Sequence, residues 1–409
     1  MISKGFPKTQ TLPILENLVI TSNRMYLFDL TTRRECFIPS YEKVFEGDTK
    51  VLLLNLAMVK SIAATKDYSS ISFNLNEETG KVDVYGDGSV FCSLENGKFD
   101  EYPEEDYNLY PLEVRVNPHM LGIAHDLLFA IEKNAINEKL KCLMLTQGHL
   151  CATDAKRLPF HKLSPVDFPD LESFTNPKAK DLRVFIDPSF VRSLPTTVEK
   201  PFTFMLSDPK DEKRFLRIVI DDIYVFTTRV PEYDRIDILS VIPRGIKFSL
   251  VMYEPTITNN LKIAIATNPN TVRVSWDQSD PGYLYFHSRN DDSEEFFTFK
   301  SKLIKTPKGI ARFRFGYNPT FLLQMIGFEQ TKYVEVCFSK VRTPIMLFKH
   351  GLLMNVLINN EECEDIKERK DEQPNSTSDE EKNSAAVPDQ PDPDRGSEPE
   401  GASINQNYN

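Results

Sequence analysis

The feature that most constrains this chain is a strand, cap and helix unit that its 409 residues write three times. An apolar strand ends in Asn or Asp at Val51-Leu-Leu-Leu-Asn55, at Val184-Phe-Ile-Asp187 and at Phe313-Arg-Phe-Gly-Tyr-Asn318, and a short helical pattern follows each. Asn and Asp suit that junction because a side-chain oxygen accepts the orphan N–H groups of a first helical turn. Proline follows at the first helical position in two copies, Pro188 and Pro319, where its missing N–H costs nothing. The caps stand 132 and 131 residues apart. Counting from each cap, the third, fourth and seventh positions are Met58, Val59 and Ile62, then Phe190, Val191 and Leu194, then Phe321, Leu322 and Met325. That is one apolar stripe at helical spacing, repeated in register. Strand–helix junctions arise by chance in any α+β protein, but three in one register at near-equal intervals point to three copies of one domain.

The expected class is therefore α+β, with three repeated domains over 1–109, 110–241 and 242–360. β-branched and aromatic runs follow each helix, such as Ile71-Ser-Phe-Asn-Leu75, Leu216-Arg-Ile-Val-Ile220 and Tyr333-Val-Glu-Val-Cys-Phe338, and read as strands. A second helix is predicted upstream in two copies only. Asn117-Pro118 opens one with apolar residues at Met120, Leu121, Ala124, Leu127, Leu128 and Ile131, and Pro255 opens another around Ile257, Leu261 and Ile265. The first copy lacks that helix, so either the natural start lies upstream or the domain is trimmed.

Charge is unevenly placed. Residues 361–409 carry 15 acidic and 5 basic side chains, and the remaining 360 carry 45 and 44, so the net charge of −11 belongs almost wholly to the tail. A tail this polar buries too little surface to offset its ordering entropy and is expected to be disordered. The near-neutral body is free to approach nucleic acid.

Function classes narrow by what is absent. No run approaches the roughly 20 apolar residues that span a bilayer, and Met1-Ile-Ser-Lys-Gly-Phe-Pro7 lacks the layout of a secretory signal; a cytoplasmic location and no membrane contact follow as expectations. The cysteines, Cys36, Cys92, Cys142, Cys151, Cys337 and Cys363, form no Cys-x-x-Cys pair and read as free thiols. There is no phosphate-binding glycine loop, no His-Glu-x-x-His and no Gly-x-Ser-x-Gly elbow, and His119, His125, His149, His161, His287 and His350 are dispersed. Asp291 to Glu295 reads as a solvated hairpin rather than a cation site. No catalytic residue, metal or cofactor is expected, which suggests a scaffold.

Several stretches carry a resemblance. Leu150-Cys-Ala-Thr-Asp-Ala-Lys-Arg-Leu158 resembles the Ala-Thr-Asp-Gly-His-Arg-Leu signature of the bacterial DNA polymerase III β subunit, the sliding clamp family. Phe226 to Arg235 followed by Val241-Ile-Pro243 is similar to that family's hinge between its second and third domains, Thr11-Leu-Pro-Ile-Leu-Glu-Asn-Leu18 to a motif of its first, and Tyr317 to Leu323 with Pro344 to Phe348 to parts of its third. The likeness covers about residues 8–358. Departures are Ala155 and Lys156 for Gly and His, Asn355 for Pro, and a hinge lengthened by Ile238 to Ser240.

The resemblance implies a head-to-tail homodimer whose three repeated DNA-clamp domains per chain form a ring, antiparallel sheets outside and helices lining the inner face. It implies a processivity factor, an accessory subunit and no enzyme, that encircles double-stranded DNA without sequence readout. Lining cations would be Lys60, Lys66, Arg115, Lys133, Arg192, Lys200 and Lys262; the helix from Pro319 to Ile326 offers none. It implies a pocket for short peptide motifs of DNA polymerase and clamp-loader subunits at Thr153, Arg157, Leu158, Pro231, Arg235, Ile236, Met354 and Val356. The alternative is a clamp-like interaction scaffold that no longer closes a ring. Deleting residues 361–409 is expected to strengthen DNA or peptide binding, and unchanged affinity at low salt would argue against such screening.

Overall fold

The computed structural model describes residues 2–3, 6, 10, 12–38, 51–65, 69–103, 110–176, 183–208, 210–211, 213–233, 237, 240–243, 245–289, 296–339 and 346–354, and the backbone of 364–368. The three predicted caps act as caps. The Asn55 side chain accepts from the N–H groups of Ala57 (3.0 Å) and Met58 (3.2 Å) and starts the helix Leu56–Ala64. Asp187 accepts from Ser189 at 2.7 Å and starts Pro188–Ser193, and Asn318 accepts from Phe321 at 3.0 Å and starts Pro319–Phe328. The two upstream helices span His119–Leu127 and Glu254–Thr267. Asn117 does not cap the first of them; its amide donates to the Val166 carbonyl at 2.9 Å and ties the helix start to a neighbouring turn.

Antiparallel strands form three sheets. The first runs Val51–Asn55, Asn17–Thr21, Arg24–Phe28, Thr32–Phe37, Tyr224–Arg229, Phe215–Ile220, Phe202–Leu206, Leu112–Val116. The second runs Arg183–Ile186, Leu143–Thr146, His149–Cys151, Arg157–Lys162, Gly351–Leu353, Met346–Phe348, Tyr333–Ser339, Ile246–Tyr253, Phe296–Lys305, Tyr283–Arg289, Val272–Asp277, Ile310–Tyr317, Glu364–Glu368. The third holds Ile71–Leu75, Lys81–Gly86 and Ser89–Glu95. Two pairings therefore stitch distant stretches together: Thr32–Phe37 with Tyr224–Arg229, and Arg157–Lys162 with Gly351–Leu353.

Glu364–Glu368 lies in the stretch expected to be a disordered tail, yet it pairs with Ile310–Tyr317, Ile310 facing Glu368. An open sheet edge offers unpaired N–H and C=O groups that any backbone can satisfy, whatever its side chains.

Strand alternation directs one side of each sheet to a core under the helices. Leu18, Ile20, Leu27, Leu52, Leu54 and Phe73 share the first core. Met120, Leu121, Val184, Phe190, Val191 and Leu216 belong to the second, and Ile257, Leu261, Val274, Phe286, Leu322 and Met325 to the third. Each such side chain, fully buried, contributes about 1.5–3 kcal/mol. Helix Glu254–Thr267 packs on Pro319–Phe328 and His119–Leu127 on Pro188–Ser193, whereas Leu56–Ala64 has no companion helix among the described residues. None of its residues is buried, and Met58 is 55% exposed. Ile2 and Phe6 pack on that core instead.

Candidate functional site

The site implied by the resemblance lies where Arg157–Lys162 meets Gly351–Leu353, Leu158 facing Leu352. A turn leads in. The Asp154 carboxylate accepts from the N–H groups of Lys156 and Arg157, both at 2.9 Å, and the Thr153 hydroxyl donates to the Arg157 carbonyl at 2.8 Å while accepting from Ala155 N–H at 3.0 Å. The turn holds Ala155 at φ +68°, the left-handed region where a Cβ costs about 1–2 kcal/mol. Glycine would relieve that at a smaller entropic cost. Ala155→Gly is expected to raise unfolding stability by about 0.5–1 kcal/mol in a denaturant titration.

Arg157 is buried, and its guanidinium is engaged on every side. Nε donates to Asp154 Oδ2 at 2.8 Å, Nη2 to the Phe129 carbonyl at 2.9 Å, and Nη1 to Gln324 Oε1. The guanidinium carbon lies 4.1 Å from the Phe321 ring centroid and 5.0 Å from that of Phe129. Instead of presenting a cation to a peptide, Arg157 ties the helix Pro319–Phe328 to the Asp154 turn.

Leu158 is buried in an apolar cluster with Cys142, Met144, Cys151, Phe185 and Leu352, on the side of its sheet opposite the second core. Met354 is half-buried over this cluster, its N–H donating to the Lys156 carbonyl at 2.8 Å. Tyr233 and Ile242, from the hinge, pack there as well, Tyr233 edge-on to Phe185 with centroids 5.1 Å apart. Pro231 is half-buried at the start of the hinge. The structure thus brings Leu158 and Met354 into one cluster and adds Phe185, Tyr233 and Ile242, which sequence reasoning missed; the aromatic two residues before the hinge arginine was the available signal. Arg235, Ile236 and Val356 lie outside the described residues.

Of the cations proposed for DNA, Lys60, Arg192 and Lys262 are exposed on helices Leu56–Ala64, Pro188–Ser193 and Glu254–Thr267. Lys133 and Lys200 are exposed in turns. Arg115 departs from the set. It sits on the strand Leu112–Val116, whose Leu112 and Val114 enter the second core, so alternation turns Arg115 away from the helices. Lys66 and the Asp291–Glu295 hairpin lie outside the described residues.

The histidines are less dispersed than their spacing suggests. His119 Nε2 and His161 Nε2 both meet Asp167 Oδ1, at 2.9 and 2.8 Å, and Ser164 meets Oδ2 through its N–H (2.6 Å) and hydroxyl (3.0 Å). Burial alone would raise the Asp167 pKa, but the bonds from His161, His119 and Ser164 override it and hold it at about 2. Asp167 also closes a capping box on the turn Pro165–Asp167, so the cluster is a fastening rather than a catalytic pair. Its carboxyl is depressed on folding, so the stabilisation is complete above the ordinary value of 3.8 and is lost as pH falls through about 2. Asp167→Asn is expected to cost roughly 2 kcal/mol at neutral pH and to flatten the acid limb of the stability curve below pH 3.8.

A cavity of about 100 Å³ lies elsewhere, within the second core between Leu121, Leu145, Phe190 and Phe204. Its walls are apolar and offer water no partner. Among the described residues no group of His, Cys, Asp and Glu could hold a metal ion, and no helix is long and apolar enough to cross a membrane. The five described cysteines are free.

No protein-family model matches the sequence, and no curated protein matches it either. Solved structures do. The DNA polymerase sliding clamp from Bacillus subtilis superposes with a TM-score of 0.71 at 15% identity, covering 87% of this chain and 95% of its own. The Helicobacter pylori β clamp bound to a DNA ligase peptide gives 0.68 at 17% identity, covering 87% and 96%. The DNA polymerase III β subunit from Thermotoga maritima gives 0.67 at 15%, covering 87% and 95%. With the antiparallel sheets, the repeated capped helices and this agreement over most of both chains, the fold of this protein is that of the bacterial DNA polymerase III β subunit, the sliding clamp.

Proposed function

We propose that this chain is a sliding clamp, a non-catalytic processivity factor that closes a head-to-tail homodimeric ring around duplex DNA in the cytoplasm. It tethers a polymerase and other partners through short peptide motifs. The observation that carries this reading is a joint made twice in the same way. In the first, Thr32–Phe37 ends a row of four strands and pairs with Tyr224–Arg229, the end of the next row. In the second, Arg157–Lys162 ends a row of four and pairs with Gly351–Leu353, again a row end.

Of the other row ends, two correspond in strand order to those already joined, Ser89–Glu95 and Phe296–Lys305. Ser89–Glu95 has one neighbour among the described residues, and Phe296–Lys305 has a second only at Leu303 and Lys305. Both expose apolar side chains, Val90 on one and Phe297 and Ile304 on the other. A third joint of the same kind joins Phe296–Lys305 of one protomer to Ser89–Glu95 of its partner and removes both edges. Helices then line the hole, and Lys60, Arg192, Lys262, Lys133 and Lys200 meet phosphates loosely enough to exchange. The apolar cluster around Leu158, Tyr233 and Met354 receives the Leu or Phe anchors of partner peptides.

The test is retention on DNA with the loader of the host present. Protein placed on circular duplex should stay and should leave when the circle is cut; equal loss from both forms would sink the clamp mechanism. One observation favours the other reading, a scaffold without a ring: helix Leu56–Ala64 lacks its companion among the described residues. Solution mass separates the two, since the ring requires about twice 47.0 kDa at micromolar concentration and the scaffold stays at one chain.

A further inference from the structure

The sheet of the third repeat has an outward face unlike its two counterparts. In the first repeat that side is covered by an apolar layer of Leu15, Val19, Tyr26, Phe28, Leu53 and Tyr102. In the second it is the apolar cluster around Leu158 and Tyr233. In the third, Val272, Val274, Leu284, Phe286, Phe313 and Phe315 point to the helix side, in the same core as Ile257 and Leu261. Alternation sends Arg273, Ser275 and Asp277, Tyr283, Tyr285 and His287, Lys300 and Lys302, and Arg312 and Arg314 to the other side.

Register arranges these residues in rows across four strands. Arg314, Ser275, Tyr285 and Lys300 face one another in order, as do Gly316, Arg273, His287 and Thr298. Tyr283 stands opposite Lys302 and Asp277 opposite Arg312. With strands about 4.8 Å apart, the row from Arg314 to Lys300 spans roughly 14 Å. The result is a central column of three rings flanked by five cations, with Asp277 among them, Asp280 at the Tyr285 hydroxyl and Glu364 paired in register with Arg314.

The rings are held in place. The Tyr285 and His287 planes lie 13° apart with centroids separated by 6.2 Å. His287 Nε2 is 2.8 Å from Ser275 Oγ, its Nδ1 is 3.1 Å from Thr298 Oγ1, and the Tyr285 hydroxyl donates to Asp280. Lys300 Nζ sits 4.5 Å from the Tyr283 ring centroid. Burial first, and then the fields of Arg314 and Arg273, push the His287 pKa down, which marks those two guanidiniums as neighbours of the ring.

From this arrangement we propose that the outward face of the third sheet binds single-stranded nucleic acid, with bases on Tyr283, Tyr285 and His287 and phosphates on the flanking arginines and lysines. The rings decide the ligand. A duplex keeps its bases stacked inside, and an acidic peptide would use the cations but leave the aromatic column unmatched; unpaired bases use both. Prior fixation of the rings lowers the ordering cost of binding. The face lies opposite the helices, so a strand bound there runs outside the path proposed for the duplex.

The test is fluorescence anisotropy of the full chain with a labelled oligothymidylate of about twenty nucleotides. Such an oligonucleotide is linear and slips off any ring, so the outcome is independent of ring closure. The double variant Tyr283→Ala, Tyr285→Ala is expected to bind at least ~10-fold more weakly, since each stacked base contributes about 1–3 kcal/mol. Lys300→Gln with Lys302→Gln, both at exposed positions, is expected to reduce the salt slope by about 1.4, at roughly 0.7 per phosphate contact. This second variant keeps the test decisive if the tyrosine variant fails to fold. Lys81→Gln with Lys98→Gln, exposed lysines of the first repeat outside both proposed nucleic-acid surfaces, should leave oligonucleotide binding unchanged. Wild-type affinity in both face variants, or an equal loss in the first-repeat variant, would overturn the proposal. So would tyrosine variants that bind normally while inorganic polyphosphate competes as well as the oligonucleotide, because the face would then be a generic anion surface.

Discussion

Glutamate at both Phe297 and Ile304 is expected to split the proposed ring into single chains. These side chains are 38% and 57% exposed on the row end Phe296–Lys305, and the two joints within the chain show how fully such an edge is covered once paired. Thr32, Arg33, Arg34 and Glu35 are all buried in the first joint, and Arg157 and Leu158 in the second. An ionised carboxylate brought into such an edge without a partner costs several kcal/mol, more than enough for two of them to weaken association by over about a thousandfold. Analytical ultracentrifugation should then show a mass near 47.0 kDa in place of twice that value. Retention on circular duplex should fall to that on linear DNA. Peptide binding at the Leu158 and Met354 cluster should persist, because that cluster belongs to one chain. An intact dimer in the double variant would mean that Phe296–Lys305 is not the closing edge.

Glu35→Ala is expected to destabilise the chain by about 3–5 kcal/mol, the largest effect of any single substitution considered. The Glu35 carboxylate, 3% exposed, forms ion pairs with three arginines: Arg33 Nη2 at 3.0 Å, Arg24 Nη1 at 3.3 Å, which also donates a hydrogen bond, and, from the strand Phe215–Ile220, Arg217 Nη2 at 3.8 Å. Arg33 is itself buried, with its guanidinium 3.9 Å from the Tyr26 ring centroid. Beside it, burial lowers the Arg34 pKa while Asp29, 3.7 Å away, partly restores it. Tyr110, under the Arg217 guanidinium, is pushed up to about 12 by burial. Removing the one carboxylate that gathers Arg24, Arg33 and Arg217 takes the counter-charge from the buried Arg33 guanidinium, 6% exposed, whereas Arg24 and Arg217 still reach water. A urea titration should show a large fall in midpoint with little change in slope. Glu95→Ala, at an exposed pair with Lys81, should leave the midpoint nearly where it was. Equal small effects from both would mean that water reaches Glu35.

The parts of this protein legible in its sequence are those governed by short-range rules. Asn55, Asp187 and Asn318 cap because an N-cap needs only its own side chain and the next three backbone N–H groups. Phe190, Val191, Leu322 and Met325 are buried because helical periodicity alone puts them on one face. The clamp motifs named Leu158 and Met354 for a proposed pocket, and these two share one apolar cluster. What the sequence could not determine is which side chains a distant strand covers. Arg157 reads as a free cation until Gln324 and Phe321, more than 160 residues on, close over it. Arg115 reads as a helix neighbour until pairing with Phe202–Leu206 fixes its strand and turns it outward. Glu35 follows Arg33 and Arg34 in a short charged run whose burial is set only when Tyr224–Arg229 pairs alongside. Asp167 looks unremarkable until His119 and His161 arrive from either side. Caps and stripes are decided within about one helical turn, so local sequence suffices for them; burial of a charge is decided by pairing across the chain, and only the tertiary structure sets that.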